Sequence, residues 1–369
     1  MEINNQNQKQ SAGDNSTLLQ ANTIYNITGI TRSEAKEIFD GEFARRLNEI
    51  VEQAKEVATE RVTCLENKVL QLFEDKINKF DAFADPAFIY SLKKAQASAC
   101  ISEKETDFDV LSQLLLHRVQ HGEDYYKRLG INKAIEVIGH VSDDALRGLS
   151  IYYLLSHVRI YNTNLSGLLQ ELESICTNLL DGKKLPKGNA WIQHLDLLSV
   201  VKMGVFGIAK MKKFDEFVKT SMSQFFVSGL PENSDSFANI EQEFKSKSIP
   251  LDLFVSHPLK GGFVMLRVNR ENIDELKFVI DTNGAKKKVS LNDEQKKAII
   301  NAVNIMGKKE TSDNMLSVLL KEWNSHPILR DVRSWWDAIP LGFNLTPVGQ
   351  ALANAYCHGK DSRIPVFYS

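Results

Sequence analysis

Few stretches of this chain place reactive side chains at spacings that chemistry could use. His117 and His121 are four residues apart in an apolar run, so a helix would put both imidazoles on one face, where a metal could bridge them. Arginine, not the glutamate of a zinc protease, follows the first histidine, and nothing nominates the third protein ligand that zinc needs. Packing or surface roles are expected for this pair, as for His140 and His157 on their apolar stretches. Asp252 upstream of Glu275-Leu276-Lys277 has the order of a metal-dependent nuclease, in which an acid and a Glu-x-Lys pair position a metal and a water. Glu275 is better explained by Asn272-Ile273-Asp274-Glu275, where it would complete a helix capping box. Asp107 and Asp109 read as solvated acids at a helix start. The segment from Gly182 to Gly188 lacks the Gly-x-x-x-x-Gly-Lys-Ser/Thr order of a phosphate cradle, and no serine sits in a Gly-x-Ser-x-Gly elbow. No catalytic, cofactor or metal site is nominated.

Cationic runs occur at Lys210, Lys212 and Lys213, at Lys286, Lys287 and Lys288, and at Lys308 and Lys309. A solvated face is the first reading of each; Lys286, Lys287 and Lys288 are the candidates for phosphate contacts if nucleic acid binds. The chain as a whole offers no field for a polyanion, because 45 Lys and Arg nearly balance 47 Asp and Glu. Cys64, Cys100, Cys176 and Cys357 are far apart, with no Cys-x-x-Cys pair, and read as free thiols of a core in a reducing cytoplasm. The N-terminus lacks the regions of a signal peptide, and no stretch approaches the ~20 apolar residues of a membrane span.

The elements that would position these groups are mainly helical. With 369 residues, 43% hydrophobic and 25% charged, the chain has the composition of a globular protein of two or three folding units. Residues 1–30 read as a polar arm: turn-forming Gly13-Asp14-Asn15-Ser16, then one or two short strands carrying Leu19 and Ile24. Residues 31–81 read as one long amphipathic helix. Its apolar positions Phe43, Leu47, Ile50, Ala54, Val57, Val62, Leu65, Val69, Leu72, Ile77 and Phe80 follow the fours and threes of a coiled-coil seam, with two slips to five. Leu19, Ile24, Phe43, Leu47, Ile50, Ala54, Val57, Leu65, Val69 and Leu72 form the expected oligomer interface.

A helical domain is expected over residues 82–230, including helices from Trp191 to Phe206 and from Phe214 to Phe226. Residues 231–248 read as a linker. A C-terminal domain over 249–369 is expected to be mostly helical with short strands, making it a small α+β unit. There Asn272 would open a helix closed by Gly284, although Asn283-Gly284 also suits a hairpin. Asn292-Asp293-Glu294-Gln295 is a clearer capping box. Thr346-Pro347 has the chemistry of a helix start, since proline lacks the amide hydrogen that would otherwise go unpaired there. Ile364 to Tyr368 reads as a closing strand.

The run Gln10-Ser11-Ala12-Gly13-Asp14-Asn15-Ser16, then Gln20-Ala21 and Gly29-Ile30-Thr31 before an acidic helix, resembles a segment of uncharacterised bacterial proteins, some of which look like components of phage-defence or mobile-element loci. The end, Leu345-Thr346-Pro347-Val348-Gly349-Gln350-Ala351-Leu352-Ala353, is similar to that of one such family of unknown function. The resemblance covers the two ends, about a fifth of the chain. It implies a bacterial cytosolic protein with an assembly-forming N-terminus and brings no catalytic residue. Leu-Thr-Pro-x-Gly also resembles an ending of winged-helix domains, which implies DNA binding.

Three functions are therefore weighed. The first is a non-enzymatic, self-associating scaffold or sensor, with a homo-oligomer built by the arm and the seam and a protein partner bound by the C-terminal domain. The second, not favoured, is a nucleic-acid binder acting through a winged-helix-like C-terminal domain. The third is a nuclease or hydrolase effector.

Overall fold

The computed structural model describes residues 32–76, 80–120, 124–160, 164–204, 211–268, 273, 276–282 and 285–366. The chain divides into two units, Met1–Val57 and Ala58–Ser369. It is mainly helical, with a few short antiparallel strands. The arm, with Leu19 and Ile24, lies outside the described residues. The first described element is helix α1 (Arg32–Lys76), close to the expected 31–81. The described part of the first unit is the N-terminal stretch of this helix.

The second unit has two hydrophobic cores. The larger begins with Leu65, Val69 and Phe73 at the end of α1. It continues through α2 (Pro86–Ile101), α3 (Glu105–Gln120), α4 (Tyr125–Val137), α5 (Asp143–His157) and α6 (Leu165–Leu180). Asp85 starts α2 by accepting the Ala87 amide hydrogen, with Pro86 in the first turn. A carboxylate before proline suits a helix start, since it takes an amide hydrogen of the first turn and proline has none to leave unpaired. The expected helix from Trp191 to Phe206 is shorter than predicted: α7 (Ala190–Leu197) gives way to strand β1 (Val201–Met203). Ser199, at φ 59°, turns the chain between them. Helix α8 (Phe214–Ser221) likewise ends before Phe226, in a single 3-10 turn over Ser223–Phe225.

The smaller core is built from 230 onwards. Strand β2 (Leu230–Pro231) pairs with β4 (Phe263–Leu266), which also pairs with β3 (Phe254–Ser256), giving the antiparallel order β2-β4-β3. The stretch expected to be a linker contains α9 (Asp235–Ser246). Its polar composition is that of a helix with one buried edge: Ser234 caps it at the Phe237 amide, and only Ile240 and Phe244 are buried. The expected helix opened by Asn272 is replaced by a hairpin, β5 (Lys277–Thr282) with β6 (Ala285–Ser290). Residues 283–284 lie outside the described ones. The Asn292 capping box is present: Asn292 accepts from the Gln295 amide and Gln295 accepts from the Asn292 amide, opening α10 (Asp293–Met306).

The chain then returns to the larger core. Helices α11 (Asp313–Ser325) and α12 (Pro327–Asp337) and strand β7 (Phe343–Leu345) lead into α13 (Pro347–Lys360). Met315, Trp323, Trp336 and Leu352 all belong to the larger core, so residues 313–360 join the helices of residues 82–230. Helix α13 is the centre of that core and packs on α3, α4 and α5. Ala351, Ala353 and Ala355 let neighbours approach closely, and every residue from Ala351 to Cys357 is buried. Its start is as predicted: the Thr346 Oγ1 accepts from the Gly349 amide, with Pro347 in the first turn. Strand β7 pairs with β1, Leu345 opposite Val201. The expected closing strand is absent through residue 366; residues 367–369 lie outside the description.

Candidate functional site

Two features of the described residues stand apart from ordinary core and surface. The first is the apolar stripe on the N-terminal part of α1. Phe39, Phe43, Leu47, Ile50, Val51 and Val57 are 67%, 57%, 47%, 60%, 41% and 44% exposed. At about 100° per residue they and Ala54 fall within an arc of about 120°. That is wider than the seam of a two-stranded coiled coil and matches the apolar face of a helix in a bundle. The polar flank is laced by Arg45 with Glu42 at 2.8 Å and Glu49 at 2.9 Å, and by Lys55 with Glu52 at 2.6 Å. Each such exposed pair contributes a few tenths of a kcal/mol, roughly 0.3–0.5, to helix formation.

The stripe changes character along its length. Leu65 and Val69, expected at an oligomer interface, are 0% and 2% exposed and lie in the core of their own chain, with Leu72 half-buried against it. Phe73, absent from the expected set, is buried there too, with its ring centroid 5.8 Å from that of Phe88. A 3-4 apolar repeat has no mark that distinguishes a partner in the same chain from one in another.

The second feature is a cleft of about 900 Å³ between the two cores of the second unit. One wall comes from the end of α5 and the middle of α6 (Leu155, Val158, Leu168, Leu172) and from the stretch Phe217–Phe225; the other comes from β4 with its extension to Val268 and from the end of α10. Trp323 lines it as well, its indole N–H donating to the Leu329 carbonyl at 2.7 Å. Among the described residues the charged groups of the lining are Arg159, Arg267, Lys308 and Lys309, all exposed, with no carboxylate. None of the four has an ion-pair partner among the described residues. Glu310, next to Lys309, is held at 3.1 Å by Lys260. The lip between Val227 and Lys309 is fixed by a backbone bridge and by His257. The His257 Nδ1 accepts from the Leu259 amide at 3.1 Å, so its Nε2 carries the hydrogen that is donated to the Val227 carbonyl at 2.9 Å. Burial pushes this imidazole below its ordinary pKa, with Lys260 adding to the effect and the Val227 bond opposing it.

The remaining sequence candidates are dispersed. His117 is buried, its ring 5.9 Å from that of His358; His121 lies outside the described residues. His140 is exposed, and His157 stacks on Tyr153 at 5.4 Å. Asp252 sits exposed in a 3-10 turn, and Glu275 lies outside the description. Lys286, Lys287 and Lys288 fall on β6, opposite Asp281, Ile280 and Val279 in the hairpin register. Asp107 departs from expectation. It is fully buried rather than solvated, with Ser102 Oγ donating to its Oδ2 at 2.5 Å and no hydrogen-bond partner for Oδ1 among the described residues. Burial raises its pKa, against the opposing effects of the Ser102 bond and Lys104. Asp109 is half-exposed and paired with Lys68 at 2.5 Å. Of the four free cysteines, Cys176 and Cys357 are buried and Cys64 and Cys100 half-buried. Among the described residues no group of three His, Cys, Asp or Glu could hold a metal, and no helix is long and apolar enough to cross a membrane.

A family model described only as "-like", with no activity in its description, matches residues 29–362. No curated protein and no solved structure matches the chain.

Proposed function

The chain belongs to the family whose model spans residues 29–362, and we propose that it is a non-enzymatic, self-associating scaffold or sensor of bacterial phage defence. The setting rests on the resemblance of the two ends; the self-association rests on α1. Burying the remaining half of a large aliphatic or aromatic side chain contributes about 1 kcal/mol. The six exposed residues of the stripe therefore offer about 6 kcal/mol per helix. Bringing chains together costs roughly 4–15 kcal/mol. Two helices only just meet that cost, and the breadth of the arc leaves part of each stripe in water. A bundle with helices from more than two copies covers it.

The single observation that carries this reading is six large apolar side chains on one exposed arc, continuous with a repeat that the chain's own core covers further on. The substitutions Leu47→Asp and Ile50→Asp together test it by mass photometry. Burying either carboxylate in such a bundle costs several kcal/mol, so the double variant should run as a single chain with unchanged thermal unfolding of the second unit. An unchanged oligomer mass would defeat the assignment of this arc.

A further inference from the structure

We infer that the cleft between the two cores of the second unit binds a small organic phosphate, its apolar body on the floor and its charge at the rim. Nothing in the self-association proposed above requires this site. Size, sign and layout point the same way. About 900 Å³ falls in the range of roughly 300–1,000 Å³ typical of small-molecule pockets, which favour apolar linings with a few convergent polar groups.

In a chain whose acids outnumber its bases, 47 to 45, every charged residue of the lining among the described residues is a cation. Those cations come from three separate elements: Arg159 beyond α5, Arg267 beyond β4, and Lys308 and Lys309 after α10. They carry no ion-pair partner among the described residues, whereas neighbouring Lys260 is already engaged by Glu310. Arg159 is oriented by a 3.3 Å hydrogen bond to the Ser221 carbonyl. Cations left unpaired around one apolar hollow attract an anion there, and the guanidinium fork suits phosphate oxygens. The hollow is apolar below them through Leu155, Leu172 and Phe225, which an inorganic ion would leave unfilled.

The chemistry is shared by a nucleotide and by an acyl phosphate, so the first probe is one that carries only its two essentials, 1-naphthyl phosphate. Fluorescence anisotropy on the full chain should give saturable binding at one site per chain, with 1-naphthol and inorganic phosphate each at least tenfold weaker. Binding should weaken as salt rises, because the cations are at the rim. The variant Arg267→Gln with Lys308→Gln should lose at least tenfold in affinity. Both side chains are exposed, and circular dichroism checks that the fold is kept. Lys183→Gln with Lys184→Gln, away from the cleft, should bind as the parent does.

Competition by adenosine monophosphate would identify the body as a nucleoside; competition by dodecyl phosphate would identify it as acyl. Naphthol binding as tightly as its phosphate, or unchanged binding in the Arg267 and Lys308 variant, would overturn the inference. So would a single-stranded oligonucleotide that outcompetes every small phosphate, since the cleft would then be part of a nucleic-acid surface.

Discussion

Replacing Gly349 by alanine pits a local gain against a tertiary loss, and the structure decides between them. Gly349 lies in the first turn of α13, where an added Cβ would stand 2.2 Å from the Val200 carbonyl oxygen and 3.2 Å from its carbon. These are backbone atoms that a rotamer change cannot move aside. The same carbonyl accepts from the Thr346 amide at 3.1 Å, while the Thr346 hydroxyl, with one hydrogen to give, lies 2.7 Å from the Ser199 carbonyl and 2.8 Å from that of Val200. Moving it about 1 Å to restore van der Waals contact would disrupt the amide hydrogen bond, at about 1 kcal/mol and up to about 3 if the buried donor goes unpaired, while the hydroxyl keeps the Ser199 carbonyl. Shifting α13 instead would strain its packing on α3, α4 and α5, at about 1–3 kcal/mol. Alanine's helix propensity returns about 1 kcal/mol. The net expectation is a loss of about 1 kcal/mol, and up to about 2. Gly41 in α1 has nothing within 4 Å of its Cβ position, so the same substitution there keeps only the propensity gain. Urea unfolding should show a lower midpoint for Gly349→Ala and greater helicity or no change for Gly41→Ala. A Gly349→Ala protein as stable as the parent would refute the close approach of α13 to β1.

Asp107→Asn should stabilise the fold at neutral pH by about 1 kcal/mol, the scale of a buried group relieved of unsolvated charge. Because burial raises the folded-state pKa of Asp107 above its ordinary 3.8, the parent loses stability as pH rises from about 4 through that raised value and then levels off. The advantage of the asparagine form should therefore shrink towards acid pH in paired urea titrations; an advantage that is constant with pH would contradict the burial of the charge. Native thiol counting with Ellman's reagent should modify Cys64 and Cys100 first. Cys176 is buried with its pKa pushed up to about 12 by desolvation and Glu173, and burial likewise raises Cys357, so these two should react only with unfolding. Four thiols reacting at one rate in native buffer would argue against that core.

Local chemistry was the part of the fold most legible in the sequence. Asn292 with Gln295 and Thr346 with Pro347 start helices as their side chains dictate, because a cap is decided within four residues. Asn272 with Glu275 has the same pattern, yet residues 277–290 form a hairpin; β-branched Val279, Ile280 and Val289 and the Asn283-Gly284 pair outweigh one capping signal. Helix α9 was hidden by polarity, since only Ile240 and Phe244 reach the smaller core. The return of α11 to α13 to the larger core is a long-range contact with no local mark. The cleft was illegible for the same reason. Arg159, Arg267 and Lys308 are dispersed through the chain, and only the packing of two cores brings them to one rim.

Light scattering on the intact chain and on a chain beginning at Ala58 tests self-association most directly. The truncation keeps Leu65, Val69 and Phe73 in the core they complete, so the second unit retains its own apolar packing. At micromolar concentration the intact chain should have the mass of at least three copies of its 41.7 kDa, and the truncated chain the mass of one copy. A single-copy mass for the intact chain, or an equal number of copies in both, would contradict assembly through the stripe of α1.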